Sequence, residues 1–189
     1  YTTLFRSHEL MSGLEIERKF LVKKKGDTYK RAAFSCSHIQ QGYIPSDAAT
    51  VRVRTSVEER GEEESVERKE TAFLTIKGQS RDGGLSRYEF ERQIPIPDAL
   101  EMLRLCKGGR IDKVRHIVNY EGHVWEIDEF HGDNEGLLMA EVELQSPDEP
   151  IILPHFIGPE VTGNPLFYNK HMLKEPYPTW RHTLPREYQ

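Results

Sequence analysis

Apolar and polar residues alternate with a period of two from residue 14 to residue 144, in short runs that turn residues separate. Because successive side chains of a β-strand point to opposite faces, this pattern predicts strands rather than helices. The eight predicted strands are Leu14–Val22, His38–Ile44, Thr50–Val57, Ala72–Gly78, Leu85–Pro95, Arg110–Tyr120, His123–Phe130 and Leu138–Gln145. The run Tyr120-Glu121-Gly122-His123 between two of them is typical of a tight hairpin.

Helical patterns are few and short. The clearest predicted helix is Asp98–Lys107, which follows a proline, carries apolar residues on one stripe and ends before Gly108-Gly109. We also predict a short helix at Asp27–Ala33 and another from Asn164 to Leu173, in a tail rich in proline and glycine. The expected fold is therefore mainly β with a few helices, in the α+β class.

Length and composition favour one soluble globular domain. The chain has 189 residues, of which 37% are hydrophobic and 30% charged, as in soluble proteins with a single core. Its apolar runs fall short of the roughly 20 residues that a bilayer-spanning helix needs, so no membrane partner is expected. The net charge of -5 argues against duplex nucleic acid as a partner. Two cysteines are too few for a disulfide framework and favour a cytoplasmic location.

Two segments differ from the rest of the chain. Residues 1–10 lack the features of a secretory signal and precede Met11, so we interpret them as a leader or an expression remnant and residues 11–189 as the single domain. The run Glu58–Glu70 holds seven acids and three bases with almost no apolar residue. It predicts a solvated hairpin extension, and an interaction loop is the alternative.

Charged residues of like sign recur at positions i and i+2, so that both members of a pair point to one face of their strand. The acidic pairs are Glu15/Glu17, Glu89/Glu91, Glu126/Asp128 and Glu141/Glu143. The basic pairs are Arg52/Arg54 and Lys113/Arg115, with Lys19 and Lys77 as single residues at matching positions. For one strand alone, a charged face in water is the simpler interpretation. Seven strands that behave alike favour a closed antiparallel barrel with a charged lumen, since like charges on one face repel each other.

A charged lumen needs a ligand that carries charges of both signs, because buried charges require partners. Paired carboxylates suit Mg²⁺ or Mn²⁺, and paired arginines suit phosphate. The pattern thus predicts a site for a metal-bound triphosphate. Phosphoryl transfer depends mainly on positioning and charge neutralisation, which such a lumen supplies.

The segment Glu15-Ile16-Glu17-Arg18-Lys19 resembles the ExExK signature of the CYTH superfamily, the triphosphate tunnel metalloenzymes. Further motifs in order make the resemblance specific and extend it from Leu14 to about Lys170. They are Gln41-Gly42-Tyr43, Arg52-Val53-Arg54, Leu74-Thr75-Ile76-Lys77, Gly84-Leu85-Ser86-Arg87, Glu89-Phe90-Glu91, Lys113-Val114-Arg115, Glu126-Ile127-Asp128 and Glu141-Val142-Glu143. The chain is most similar to the compact bacterial-type inorganic tripolyphosphatases of that superfamily.

The resemblance implies an eight-stranded antiparallel tunnel and assigns roles to its charged residues. The residues implied to bind the triphosphate are Lys19, Arg52, Arg54, Lys77, Arg87, Lys113 and Arg115. Those implied to hold Mg²⁺ or Mn²⁺ are Glu15, Glu17, Glu141, Glu143 and Asp128. The resemblance leaves open whether Glu89, Glu91, Asp128 and Glu141 complete the metal shell, bind a second metal or orient the attacking water, and Glu126 is a further candidate for these roles.

Compact members of the superfamily pair the signature lysine with a tyrosine, so the resemblance also implies catalytic roles for Lys19 and Tyr43. Contact with a phenol would favour the deprotonated amine or orient the terminal phosphate. The alternative for Tyr43 is packing at the end of a strand. In the tail, Phe167-Tyr168-Asn169-Lys170 resembles the closing helix of the superfamily near one tunnel mouth. Lys170 either reaches the substrate there or, as the simpler interpretation, lies on the surface.

The preferred function is a metal-dependent hydrolase of tripolyphosphate that also accepts ATP. A class IV adenylate cyclase and a thiamine triphosphatase are alternatives on the same fold. A non-catalytic module that binds polyphosphate or nucleotides is the alternative from another class. The acid set argues against it, since an anion binder gains little from inward carboxylates without a metal. The sequence leaves a homodimer open.

Overall fold

A computed structural model describes residues 13–60 and 66–189. The predicted leader, residues 1–10, lies outside the described residues. The described chain forms one antiparallel sheet, and its strands are β1 Gly13–Val22, β2 Ser35–Ile44, β3 Thr50–Arg60, β4 Glu67–Lys77, β5 Ser86–Ile94, β6 Ile111–Tyr120, β7 His123–His131, β8 Leu138–Leu144 and β9 Ile157–Glu160.

The first eight strands close into a barrel. Their order around it is β5-β4-β3-β2-β6-β7-β8-β1, and β1 returns to pair with β5. This confirms the predicted closed, eight-stranded antiparallel barrel. The short strand β9 joins β1 beyond the point where β5 leaves it. Its four residues, Ile157–Glu160, include glycine and proline and show no alternation, so the sequence does not predict β9.

The described parts of the charged run Glu58–Glu70 form the paired outer ends of β3 and β4, as the predicted hairpin extension requires, and residues 61–65 lie outside the described residues. Opposite charges face each other in register here, because Glu58 lies across from Lys69 and Glu59 across from Arg68. Cross-strand pairs of opposite charge stabilise a ladder that has little apolar surface to bury. This pairing explains how β3 and β4 extend beyond their predicted ends.

The described helices are α1 Thr28–Ala32, α2 Ile96–Arg104, α3 Asn169–Met172 and α4 Tyr177–Trp180. Helix α2 begins two residues before the predicted Asp98, because Pro97 lies in its first turn, where a missing N–H costs no hydrogen bond. The predicted helix Asn164–Leu173 is interrupted, because extended backbone at Tyr168 separates a 3₁₀ turn at Pro165–Phe167 from α3. None of the described helices has both the length and the apolar character that crossing a bilayer requires.

The apolar core lies mainly outside the barrel wall. One cluster covers the outer faces of β1, β7 and β8 and includes Phe20 and Trp125, whose ring centroids are 5.6 Å apart. A second packs α2 on β3 and β4 through Ala99 and Leu103. These layers keep the apolar faces of the strands away from water and leave the lumen to the charged faces.

A third cluster closes one end of the lumen. Four of its strand residues, Leu21, Ile111, Phe130 and Met139, lie two positions beyond charged lumen residues, and Tyr43 of β2 is a fifth member. The tail supplies most of the remaining large members, which are Phe167, Met172, Tyr177, Trp180 and Tyr188. The tail therefore packs against the lumen end and positions α3 beside the charged residues.

Candidate active site

The charged faces of the strands enclose two adjoining cavities of about 270 Å³ and about 490 Å³. We call the first the basic cavity and the second the acidic cavity. Residues that line both are Glu17, Arg52, Arg54, Lys77, Arg115 and Glu141. Because the two cavities share these walls, they adjoin each other across one ring of charged side chains within the barrel.

The basic cavity collects all of the cations that the sequence assigns to the triphosphate. These are Lys19, Arg52, Arg54, Lys77, Arg87, Lys113 and Arg115. The acidic cavity collects most of the predicted acids, which are Glu15, Glu17, Glu89, Glu91, Glu126, Glu141 and Glu143. The alternation along the strands is sufficient to predict this convergence, because residues of one parity share the inner face.

The tail supplies part of the basic cavity that the strand pattern does not indicate. Tail residues in its wall are Tyr168, Asn169, Lys170, His171 and Lys174. The Asn169 side-chain oxygen accepts hydrogen bonds from Lys113 Nζ at 3.0 Å and from Gln41 Nε2 at 3.3 Å. Of the two interpretations of Lys170, the structure supports the one that brings it to the site. Tyr168 and Asn169 belong to the segment that the resemblance places near a tunnel mouth, whereas His171 and Lys174 were missed and only their nearness to that segment points to them.

Lys19 is buried between two carboxylates. Its ammonium lies 2.6 Å from Glu141 Oε1 and 3.0 Å from Glu17 Oε1. Burial opposes the charge, but the two carboxylates outweigh it and raise the pKa of Lys19 above its usual value. Lys19 is therefore protonated in this arrangement.

Tyr43 lines the basic cavity but makes a different contact from the one expected. Its hydroxyl accepts a hydrogen bond from Gln41 Nε2 at 2.7 Å, and Gln41 Oε1 accepts one from Arg54 Nε at 3.1 Å. The structure thus pairs Lys19 with carboxylates and Tyr43 with an amide, and the expected contact between Lys19 and Tyr43 is not formed. Burial raises the pKa of Tyr43, which keeps its phenol neutral.

Lys77 holds the acids of β1 and β5 together. Its ammonium is 2.7 Å and 2.8 Å from the two oxygens of Glu15 and 3.5 Å from Glu89. Burial works against the charge of Glu15, but Lys77 and Arg87 lower its pKa to about 2. Burial, with Glu15 and Glu91 nearby, raises the pKa of Glu89 to about 7 despite Lys77. Neighbouring carboxylates in this wall therefore differ in charge at neutral pH.

Asp128 lies behind the cations rather than on the tunnel surface. It is 1% exposed, accepts from Lys113 Nζ at 2.6 Å and accepts two hydrogen bonds from Arg115 at 2.7 Å and 2.8 Å. It lines neither cavity. Because neither cavity reaches Asp128, its position favours a role in holding Lys113 and Arg115 over the predicted contact with metal or water. The alternation along β7 predicts that Asp128 faces inward, but it does not predict how deeply the side chain is buried.

Two arginines on β3 lack full partners. Arg52 Nη2 donates to Thr75 Oγ1 at 3.0 Å and Glu91 Oε2 at 3.1 Å, while its buried Nε has no hydrogen-bond partner among the described residues. Arg54 forms no ion pair with any carboxylate in the part of the chain that the structure describes. Burial and the nearby charges of Arg52 and Arg115 lower its pKa to about 10. An excess of positive charge therefore faces the basic cavity.

The acidic wall contains carboxylates in direct opposition. Glu17 lies across from Glu143 on β1 and β8, and Glu126 lies across from Glu141 on β7 and β8. Such like-charged pairs are destabilising unless a cation lies between or beside them. No three metal-binding side chains of the described residues converge on one point in this arrangement. Mg²⁺, however, commonly binds one or two carboxylates together with water and substrate oxygens, and this wall fits that requirement.

Comparisons with known proteins agree with this geometry. The family model for the CYTH domain matches residues 13–160. An inorganic triphosphatase of Acetivibrio thermocellus is 42% identical over 173 residues, which cover 89% of this chain and 99% of that protein. An inorganic triphosphatase of Nitrosomonas europaea is 33% identical over 161 residues, which cover 82% and 94%.

Solved structures show the same architecture. A crystal structure of an inorganic triphosphatase has a TM-score of 0.55 and 27% sequence identity, and the match covers 84% of this chain and 93% of that one. A conserved hypothetical protein of Pyrococcus furiosus has a TM-score of 0.50 and 18% identity over 71% of this chain and 80% of its own. The second likeness concerns the fold alone.

Proposed function

The chain belongs to the CYTH domain family, and we propose that it hydrolyses inorganic triphosphate with the help of a divalent metal ion. The observation that carries this proposal is the pair Arg52 and Arg54, whose positive charge faces the basic cavity without full compensation. Planar guanidinium groups bind phosphate oxygens through two parallel hydrogen bonds. A chain of phosphates would supply the missing acceptors.

The remaining cations of the basic cavity support a triphosphate rather than a single phosphate. Lys19, Lys77 and Arg115 lie on different strands around the same lumen, and each is now paired with a carboxylate. A triphosphate bound between them would exchange these internal ion pairs for contacts with phosphate oxygens. The tail residues Asn169 and Lys170 also line the basic cavity and would lie against the bound substrate there.

Once a triphosphate has taken over these lysine and arginine side chains, their carboxylate partners would be available to bind a metal ion. We propose that Glu15, Glu17, Glu141 and Glu143 hold Mg²⁺ or Mn²⁺ together with substrate oxygens. The bound ion would neutralise charge on the phosphates and make a water more nucleophilic. Asp128 would serve instead to hold Lys113 and Arg115 in place, which is the role its contacts support.

The reaction then follows from the positions of the chain's own residues. Lys19, Arg52 and Arg54 orient the phosphates, while Glu89 and Glu91 line the acidic cavity, where they orient the attacking water. The water oxygen bonds to the terminal phosphorus as the bond to the bridging oxygen breaks, giving orthophosphate and pyrophosphate. The water's proton passes to a carboxylate of this wall.

Hydrolysis of tripolyphosphate is favoured over the alternatives because both curated relatives described above are named inorganic triphosphatases. Among the described residues that line the two cavities, none points specifically to cyclisation of ATP, recognition of thiamine or binding without turnover. ATP is proposed as a secondary substrate. A cytoplasmic location, the exclusion of duplex nucleic acid and a homodimer also remain proposals.

Arg54 gives the direct test, with Arg104 as a matched control because it is an exposed arginine on α2, far from the lumen. Purified protein would be incubated with tripolyphosphate, ATP and thiamine triphosphate, with Mg²⁺, Mn²⁺ or chelator, and products resolved by phosphorus NMR. We expect metal-dependent orthophosphate release from tripolyphosphate, a KM raised about tenfold or more in Arg54→Gln and no change in Arg104→Gln. Cyclic AMP with pyrophosphate, or no turnover of tripolyphosphate, would contradict the proposal.

A further inference from the structure

Strand β1 changes partner in the middle of the site. Along one edge it pairs continuously with β8 from Ile16 to Leu21. Along the other edge it pairs with β5 up to Ile16 and with β9 from Phe20 onward. Residues 17–19, which include two of the signature positions, therefore lie in the gap between β5 and β9.

Backbone groups in this gap need other partners, since buried N–H and C=O groups are rarely left unpaired. Glu17 N donates to Leu85 O at 3.0 Å, and Val161 N donates to Lys19 O at 2.8 Å. Lys19 N donates to Thr162 Oγ1 at 2.9 Å. The amide of Lys19 is thus held by a side chain and not by a neighbouring strand.

The Thr162 hydroxyl is itself fixed in direction. It donates its proton to Glu160 Oε1 at 2.8 Å, so a lone pair is left to accept from Lys19 N. Glu160 is held in turn by Arg18, with Nε to Oε1 and Nη2 to Oε2 both at 2.8 Å. Two parallel charge-assisted hydrogen bonds fix a carboxylate more firmly than one. Because Arg18 directly precedes Lys19, these contacts form a closed ring around one peptide of β1.

We propose that Thr162, oriented by Glu160 and Arg18, is a positioning residue that fixes the backbone of Lys19 and so the place of its ammonium in the tunnel. This inference rests on the proposed triphosphatase function. The ammonium lines the basic cavity between Glu17 and Glu141, where a bound triphosphate would meet it. A misplacement of about 1 Å in such a group can lower a rate on the order of a hundredfold.

The same ring ties Lys19 to the tail. The chain runs from Thr162 through the turn at Pro165–Phe167 to Asn169, which contacts Lys113 and Gln41 in the basic cavity. Fixing Thr162 on β1 thus sets the distance between the signature lysine and the tail residues across the cavity. This contact positions β1 relative to α3 together with the packing of Leu21 against the tail.

The test compares Thr162→Val, which keeps the shape but removes the hydroxyl, with Thr162→Ser, which keeps the hydroxyl. One measurement needs no substrate: the ¹⁵N chemical shift of the Lys19 ammonium, assigned by its disappearance in Lys19→Arg. The other is steady-state hydrolysis of tripolyphosphate with the metal, expressed per folded molecule. The midpoint of thermal unfolding is recorded for every variant.

We expect Thr162→Val to move the Lys19 signal and to lower kcat about fivefold to tenfold, with KM changed less than about twofold, because a hydrogen bond of ordinary strength is lost. Thr162→Ser should keep the wild-type signal and at least about half of kcat. A lower unfolding midpoint in Thr162→Val with unchanged signal and kcat would mean that the contact is only structural, and would overturn the proposal. An inactive wild type would refute the triphosphatase function alone, since the ammonium signal would still report on the ring.

Discussion

Glu17 lies directly opposite Glu143 across the paired strands β1 and β8, and both carboxylates line the acidic cavity. Side chains at directly opposed positions are close enough to interact, so two carboxylates there repel each other. A divalent cation that bridges or neighbours them removes this repulsion. The first prediction therefore concerns the effect of this pair on metal binding.

Replacing Glu143 should weaken metal binding. Glu143→Gln removes one of the two opposed charges, so the ion gains less from binding near Glu17. The wild type should show a higher unfolding midpoint when Mn²⁺ is added, because a ligand that binds the folded state stabilises it, by about 2.7 kcal/mol at a hundred times its Kd. We expect a clearly smaller increase for Glu143→Gln. Glu101→Gln, on the exposed side of α2, is the control and should behave like the wild type.

Asp128 should matter for stability and not for metal affinity. Asp128→Asn leaves Lys113 and Arg115 buried without their shared carboxylate, and breaking such a pair costs about 3–5 kcal/mol. Urea unfolding should show this loss of unfolding free energy. Calorimetric titration with Mn²⁺ should give the same Kd as the wild type within about twofold, since Asp128 lines neither cavity. If Asp128→Asn lost metal binding with little loss of unfolding free energy, the prediction would be wrong and Asp128 would be a metal ligand.

These two acids show what the sequence can and cannot predict. Alternation assigns Glu143 and Asp128 to the lumen face, because parity alone decides the face of a strand. Alternation does not predict how deeply an acidic side chain is buried, because its burial depends on how far a long neighbouring side chain reaches. Lys113 and Arg115 extend past Asp128 and cover it. The barrel was therefore predictable from local pattern, and the division of roles among its acids was not.

The tail and the partner of Lys19 were difficult to predict for a related reason. Helices α3 and α4 have four residues each, too short to be stable alone, so they form only through packing on the lumen end. Lys19 and Tyr43 share the basic cavity, but the lysine contacts the carboxylates of Glu17 and Glu141. Lys19 contacts these carboxylates because they carry the opposite charge, and the spacing of the motifs does not predict this contact.

Tyr43→Phe separates the two interpretations of the phenol. In the structure the hydroxyl binds Gln41, whose oxygen binds Arg54, so its removal should loosen Arg54 and weaken phosphate binding. We expect KM for tripolyphosphate to rise about threefold to tenfold with kcat within about twofold, the size of effect of one neutral hydrogen bond. A large fall in kcat at unchanged KM would instead support a direct partnership with Lys19. Gln41→Leu should raise KM at least as much as Tyr43→Phe, because it removes the acceptor of Arg54 directly and also the contact with Asn169.

His116 gives a prediction about pH that does not involve the tunnel. It lies half-buried on the outer face of β6, with its ring 5.3 Å from that of Tyr29 and its Nε2 3.7 Å from Glu129. Burial lowers the pKa of His116 below its ordinary value of 6.5, although Glu129 favours the charged form. The unfolded chain therefore binds a proton at this residue more readily than the folded chain.

Stability linked to His116 should be fully present above pH 6.5 and should decline as pH falls from there toward the lowered pKa of the folded state, because the unfolded state takes up the proton first. The check is urea unfolding of the wild type and His116→Gln at several pH values between 8 and about 5. The wild type should lose more unfolding free energy than the variant over the acidic part of this range. Parallel curves would show that His116 titrates alike in both states. A wild type that gains stability relative to the variant would mean that Glu129, and not burial, dominates its environment.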